Sequence, residues 1–471
     1  MIRKTSAAGS FYEADPDKLL KEVNGYLKKG AAPAGALKGV LVPHAGYCFS
    51  GAAAGRALAA LKDAEIDTLV IMATGHTMPL RRGALTDAEA FATPLGPVGV
   101  DVEFCAELLL EKDLFELSPR AHAGEHAVEV QLPFLRALKG DKVKIVPLLF
   151  NSDDEALLEA AGRAVGRAMK GRRALFCVSS DLSHYPPGDL AERSDLSALL
   201  ALRQAMRNGA PSYFGLACGL LARAAGPGLD TVACGQAAMT AGAACALELG
   251  GNDFETALYT HSGKVSGDDS RVVGYGAGFY TAASPRPAGA LELSPAMKKE
   301  LLAMARGAIK SSLRGAGPQT GCLAVRPEFN HPAAVFVTLT SGGELRGCIG
   351  SLEARGTLSD MVRGYACAAA FEDPRFAPVT AAELEKLKVE ISVLSPLERV
   401  AGADDIKEGL HGVYVKSGRR SGTYLPQVWE HFKKKEDFLS SLCLEKAGLA
   451  SDAWKEKSTV LYRYTVDHFE E

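Results

Sequence analysis

Three apolar runs in the first 190 residues each lead into a histidine-bearing turn. Gly39-Val40-Leu41-Val42 is followed by Pro43-His44-Ala45-Gly46-Tyr47, and Asp67-Thr68-Leu69-Val70-Ile71-Met72-Ala73 by Thr74-Gly75-His76-Thr77. Ala174-Leu175-Phe176-Cys177-Val178-Ser179-Ser180 is followed by Asp181-Leu182-Ser183-His184. Short apolar runs bounded by turn formers read as buried strands. Pro43 has no N–H for a ladder, so the first strand ends there. Gly46 is expected to let the chain turn into a small-residue helix over 50–58. In open α/β sheets, ligands bind beyond the carboxyl ends of the strands. The three histidines are therefore expected where chemistry happens.

The rest of this half alternates in the same way. A helix is expected over 16–27, with Asp15 as its N-cap and Pro16 in its first turn. Further helices are expected over 101–110, 154–169 and 190–225, and from Gln236 to Leu249. Strands are expected over 143–150, 254–260 and 272–280. Residues 91–100 contain Pro94 and Pro97 and read as an irregular loop or edge strand. His122, Glu125, His126 and Glu129 lie in a short stretch ending at Pro133, where Glu125 and Glu129, four apart, would share a helical face. Alternating strands and helices give a layered α/β domain.

A chain of 471 residues is too long for one growing core, so at least two domains are expected. The break falls at residues 283–293, where Pro285, Pro287 and Gly289 mark a linker between domains at 1–282 and 294–471. The second domain reads as α+β. It has a hairpin (333–340 and 344–350), a helix (357–370), strands (388–394 and 412–416), a polar loop (418–427) and a helical region (427–443). A net charge of −3 offers no footprint for nucleic acid or an anionic membrane. Ten cysteines without a C-x-x-C pair fit a reducing cytoplasm. No window approaches the roughly 18 apolar residues of a membrane helix.

His44, His76, Asp181, His184 and Cys234 come from separate strand ends or helix starts. A metal site assembled on a sheet needs ligands that are remote in sequence and each held on a rigid element. Imidazole suits iron, zinc and copper, and a thiolate adds soft character. Two histidines and one anionic ligand leave open positions, as a catalytic or redox site requires. His126 and His184 are candidates for proton transfer, and Asp181 for orienting a histidine. The competing reading is that these histidines only cap strands by hydrogen bonds.

Several of these motifs in order resemble the Memo family, also called AmmeMemoRadiSam system protein B. They are Ala8-Gly9-Ser10-Phe11-Tyr12, Pro43-His44-Ala45-Gly46-Tyr47, Gly75-His76, Glu125-His126-x-x-Glu129, Ser179-Ser180-Asp181-x-x-His184 and Ala233-Cys234-Gly235. The resemblance covers residues 1 to about 282. It implies a fold like that of the class III extradiol dioxygenases, with His44, His76 and Cys234 at metal positions and Asp181 and His184 beside them. Iron(II) is the implied metal, with copper or zinc as alternatives. Many members have a His-His pair where this chain has His76-Thr77, and Cys234 replaces the carboxylate of the dioxygenases.

In the second half, Leu345-Arg346-Gly347-Cys348-Ile349-Gly350 stands out. Its glycines would allow a ligand close to the backbone, Arg346 would activate the thiol or bind an anion, and Cys348 is a candidate nucleophile. The plainer reading makes Cys348 a small strand filler. This motif, Asp373-Pro374-Arg375-Phe376, Glu390-Ile391-Ser392-Val393-Leu394-Ser395 and residues 422–427 resemble the AMMECR family, AmmeMemoRadiSam system protein A. That resemblance covers about 294–469 and implies a functional tie to a radical SAM protein. Together the two halves lead to the expectation of a metal-dependent, oxygenase-like or redox enzyme acting on a small molecule or a modified macromolecule. A non-catalytic scaffold is the alternative.

Overall fold

The computed structural model describes residues 1–284, 292–456 and 458–471. The chain divides into two compact units, taken here one at a time. The expected linker positions Pro285, Pro287 and Gly289 lie outside the described residues. Among the described residues, no helix is long and apolar enough to cross a membrane.

The N-terminal unit is built on an eight-stranded sheet. Its strands are β1 (Ala36–Val42), β2 (Thr68–Thr74), β3 (Gly83–Leu85), β4 (Phe115–Leu117), β5 (Lys144–Phe150), β6 (Ala174–Ser179), β7 (Asp253–His261) and β8 (Gly274–Ala282). Their order is β7-β8-β1-β6-β2-β5-β3-β4. The central four, β1, β6, β2 and β5, run parallel, and β8 and β7 close one side antiparallel. All seven residues of β2 are buried, as expected of a parallel strand covered on both faces. The strands that lead to His44, Asp181 and His76 are therefore neighbours, and their carboxyl ends open on the same edge.

Helices α1 (Pro16–Leu27) and α2 (Tyr47–Leu58) pack on each other, as do α5 (Glu155–Met169) and α8 (Gln236–Glu248). A short helix α3 (His126–Glu129) and α4 (Leu132–Lys139) follow α2 in the chain, and α6 (Gly188–Arg207) and α7 (Ser212–Ala225), which pack together, fall between α5 and α8. Asp15 caps α1 through Asp17 and Lys18 N–H groups, as its sequence position predicts. One local expectation changes. Helix α2 begins at Tyr47, and Gly46 has φ −56°, so no left-handed turn is needed there. Residues 91–100 include the edge strand, Val98–Gly99, of a separate three-stranded sheet with Ile2–Arg3 and Ala90–Phe91, in line with the edge-strand reading.

The C-terminal unit has two four-stranded sheets. One holds β9 (Ala334–Ser341), β10 (Glu344–Gly350), β11 (Leu387–Leu394) and β16 (Val466–Glu470), ordered β10-β9-β11-β16. The other holds β12 (Glu398–Val400), β13 (Gly412–Ser417), β14 (Arg420–Tyr424) and β15 (Val460–Tyr464), ordered β12-β15-β13-β14. Helices α9 (Pro295–Leu313) and α10 (Leu358–Phe371) pack together. Strand β14 corrects the sequence reading of a loop over 418–427. Its run is too polar to show a strand pattern, because only Tyr424 is buried and the strand is stabilised by pairing with β13. The helical region expected over 427–443 is also interrupted. A 3-10 turn (Pro426–His431) precedes α11 (Lys435–Ser441).

Candidate metal centre

His44 leaves β1 just after Pro43 and is almost fully buried, at 2 % exposure. Its backbone N–H donates to Asp181 Oδ1 at 2.8 Å, tying the end of β1 to the turn after β6. Its ring has a defined tautomer. Ser179 Oγ donates to Ala127 O at 2.7 Å and therefore accepts from His44 Nδ1 at 3.1 Å. Gln131 Nε2 donates to the same Ser179 oxygen and to Pro43 O. The lone pair of His44 is thus on Nε2, which faces Cys234 Sγ at 3.2 Å.

His76 is fixed in a parallel manner by a carboxylate. Glu125 Oε2 accepts its backbone N–H at 2.6 Å, and Oε1 lies 2.9 Å from Nδ1. With Nδ1 committed to Glu125, Nε2 is the free nitrogen, the arrangement by which a carboxylate orients a metal-bound histidine. Glu125 caps α3, and its Oε1 also accepts the Ala127 N–H. Burial alone raises the Glu125 pKa, but these donors outweigh it and hold the carboxyl down at about 2.

Cys234 arrives from the other direction. The loop before α8 is zipped to the turn after β6: His184 N–H donates to Thr231 O, and Asp230 N–H to His184 O. The next residue, Gly235, is the one position here that cannot carry a side chain. A Cβ there would lie 2.6 Å from Ser180 Cβ and Oγ and 2.8 Å from Thr74 Oγ1. The missing side chain lets the start of α8 sit directly on the ends of β2 and β6.

One ligand atom each from His44, His76 and Cys234 can be chosen so that all lie within 4.8 Å of one another. Nitrogen and sulfur at about 2.1 and 2.3 Å from one tetrahedral ion would be about 3.5 Å apart, close to the observed His44–Cys234 separation. The side chains thus fit a single ion without large rearrangement. His76, Glu125 and His126 form a second such group. Glu125 already serves there as the acceptor for the His76 ring, with His126 Nδ1 3.3 Å away, so this group reads as the support of the first.

The surroundings disfavour charge on the His44 and His126 rings and on the Cys234 thiol. Burial, then His76, lowers the His44 pKa to about 3, and burial, then His44, lowers that of His126 to about 4. Burial, then the Asp181 carboxylate, pushes the Cys234 thiol up. A bound cation reverses this preference, since a coordinating thiol is deprotonated by the metal. Binding then releases a proton, so affinity rises with pH.

His126 lies with its ring stacked on that of His76, centroids 4.8 Å apart, and edge-on to His44 at 5.4 Å. Asp181 is buried beside the site and His184 adjoins it, with its buried Nε2 lacking any partner. Thr77, the residue after His76, donates to Ala121 O at 3.0 Å. Glu125 and Glu129 do not act as one face of a helix. Glu125 is a cap turned to the histidines, while Glu129 turns to Arg3, Ser6, Ala7 and Tyr12. Phe11, on the segment that Glu129 secures, packs its ring 4.5 Å from His126. Glu125, Ser179, Gln131 and Phe11 received no site role from sequence. Only the adjacency of Glu125 to His126 could have hinted at one.

Cys348 belongs to the C-terminal unit. Its N–H donates to Asp373 Oδ2 at 2.9 Å, its carbonyl accepts from Arg375, and its thiol lies 3.3 Å from Thr338 Oγ1. No histidine is among these contacts. Arg346 is not among the thiol's partners: its Nε donates to Glu383 at 3.0 Å, and its buried Nη1 has no partner. The flanking glycines make room for protein rather than ligand, since a Cβ on Gly347 would sit 2.1 Å from Ala369 O. The structure thus gives the motif a packing role between β10 and α10.

Comparisons with known proteins agree with this division. Residues 3–279 match the family described as Memo-like protein, and residues 302–469 match AMMECR1. A MEMO1 family protein of Methanothermobacter thermautotrophicus is 32% identical over 289 residues, covering 58% of this chain and 99% of that one. One from Methanococcoides burtonii is 34% identical over 278 residues, covering 59% and 98%. A solved structure of an uncharacterized protein from Pyrococcus horikoshii is 34% identical and covers 38% of this chain and 94% of that one, with a TM-score of 0.36. The N-terminal layering is consistent with the extradiol dioxygenase-like fold implied by the Memo resemblance. The chain belongs to the Memo family and carries an AMMECR1 domain after its Memo domain.

Proposed function

We propose that the Memo domain is a metal-dependent redox or oxygenase-like enzyme acting on a small molecule, with His44, His76 and Cys234 holding one iron or copper ion. The observation that carries this reading is the convergence of the three ligand atoms, with each imidazole's Nδ1 committed to another partner. Such an ion supplies one-electron chemistry at positions the protein leaves open.

The remaining roles fall to this chain's own side chains. Glu125 and Ser179 hold the two ring tautomers. His184, beside Asp181, presents a buried Nε2 with no partner and is the group placed to hold or move a proton. His126 packs against both ligand rings and completes the wall with Phe11. Cys348 has no activating neighbour among its contacts and takes no part in this reading. A radical SAM protein is the proposed partner, on the strength of the family resemblance alone.

The test is elemental analysis of protein purified without oxygen. The expected result is about one iron or copper per chain, lost in His44→Ala while the circular dichroism spectrum is retained. Protein with no stoichiometric metal, or a His44→Ala variant that keeps it, would sink the proposal.

A further inference from the structure

The residue after His184 is conformationally unusual. Tyr185 has φ +70°, one of two non-glycine residues with positive φ among those described. It also precedes Pro186, where the backbone is already restricted. A bulky side chain in this region costs on the order of 1 kcal/mol or more and persists only when neighbours impose it. Here they do: Tyr185 N–H donates to Val272 O at 2.7 Å and Val272 N–H to Pro186 O at 2.9 Å.

The strain has a visible result. It leaves the phenol ring 44 % exposed beside the His184 ring, at 5.6 Å between centroids. The same pairing carries Arg271 over that ring, with the guanidinium carbon 4.7 Å from its centroid. Among the described residues no carboxylate pairs with Arg271. Of the acids on the Arg271 loop, Asp268 accepts the Ser270 N–H and Asp269 lies 3.7 Å from His261, while Asp230 and Asp181 act on His184. An ordinary surface arginine stacked on an aromatic would need no strained backbone beneath it. This one stacks on a strained residue whose ring in turn adjoins a histidine with an unpartnered buried Nε2.

We infer that Arg271 and Tyr185 bind the anionic end of the substrate, a small organic carboxylate or phosphate whose apolar body reaches past His184 toward the metal ligands. The guanidinium pairs with the anion in the plane of its donors while its face stays on the ring. This inference rests on the function proposed above, since it names the substrate class of that site.

The test is calorimetric titration of the full chain with benzoate, phenyl phosphate and neutral benzamide, with and without cobalt(II). Saturable binding of benzoate or phenyl phosphate, and none of benzamide, is expected. The anion that saturates identifies which group the site takes. Arg271→Gln should weaken it about 10- to 100-fold, the loss of one charged hydrogen-bonded pair. Arg271→Lys should recover only part, because the stacked fork is gone. Failure of both anions to saturate, or affinity within about twofold in Arg271→Gln, would overturn the inference. Cobalt binding is read separately from its visible absorption. Its absence with Arg271-dependent anion binding intact would count against the metal enzyme and not against the anion site.

Discussion

Glu129→Ala is expected to lower the melting temperature of the Memo domain by about 10 °C or more, as the first transition in a scan of the full chain. Glu129 is fully buried and forms an ion pair with Arg3, whose side chain is only 6 % exposed. Its two oxygens also accept the Ser6 and Ala7 N–H groups and the Ser6 and Tyr12 hydroxyls. Arg3 in turn reaches the carbonyls of His122 and Glu125. Removing one partner strands a buried cation and several donors, which costs about 3–5 kcal/mol. In a domain of this size each kcal/mol shifts melting by about 2–4 °C. The pH dependence has a definite sign. Burial raises the Glu129 pKa, but Arg3 and the backbone donors outweigh it and leave it below the usual value. A depressed carboxylate stabilises above its unfolded pKa and loses that contribution as pH falls. The deficit of Glu129→Ala should therefore be full at neutral pH and shrink in acid. A neutral-pH melting temperature within about 1 °C of the parent would contradict this account of how the N-terminal segment, and Phe11 with it, is anchored at the site.

Glu125→Gln is expected to weaken metal affinity by about 10- to 100-fold, the usual cost of losing the partner that orients a ligating histidine. The side chain is only 1 % exposed, and its carboxylate accepts from the His76 ring and two backbone N–H groups, with the His126 ring 3.3 Å away. An amide of the same shape can accept at one position only. Its NH2 then faces a donor, and His76 either turns or changes tautomer. Competition of zinc between the protein and a chromophoric chelator measures the change. An unchanged affinity would mean that His76 is positioned by something other than Glu125.

The sequence made the strand ends legible because burial on both faces leaves uninterrupted apolar runs. His44 and His76 could be located from Val42 and Ala73 without any knowledge of pairing. That β1, β6 and β2 lie side by side was not legible in that way, since the order of parallel strands is set by crossovers and not by local pattern. The supporting groups were hidden for a related reason. Glu125, Ser179 and Gln131 act through contacts spanning 48 to 135 positions along the chain, and a polar residue destined for burial looks like any other. Strand β14 was missed because an edge strand with one buried side chain has no periodicity to read. The glycines around Cys348 were misread for want of α10, whose carbonyl explains one of them. Tyr185 shows no local signal at all, because its conformation is imposed by Val272 from across the fold.

The central claim is that a thiolate and two imidazoles, from residues 234, 44 and 76, bind one ion. X-ray absorption of the zinc-loaded protein tests it without redox complications. The account predicts one sulfur at about 2.3 Å and imidazole nitrogens at about 2.0–2.1 Å, with the sulfur shell absent in Cys234→Ser. A first shell of oxygen and nitrogen alone in the parent protein, or a sulfur shell that survives in Cys234→Ser, would contradict it.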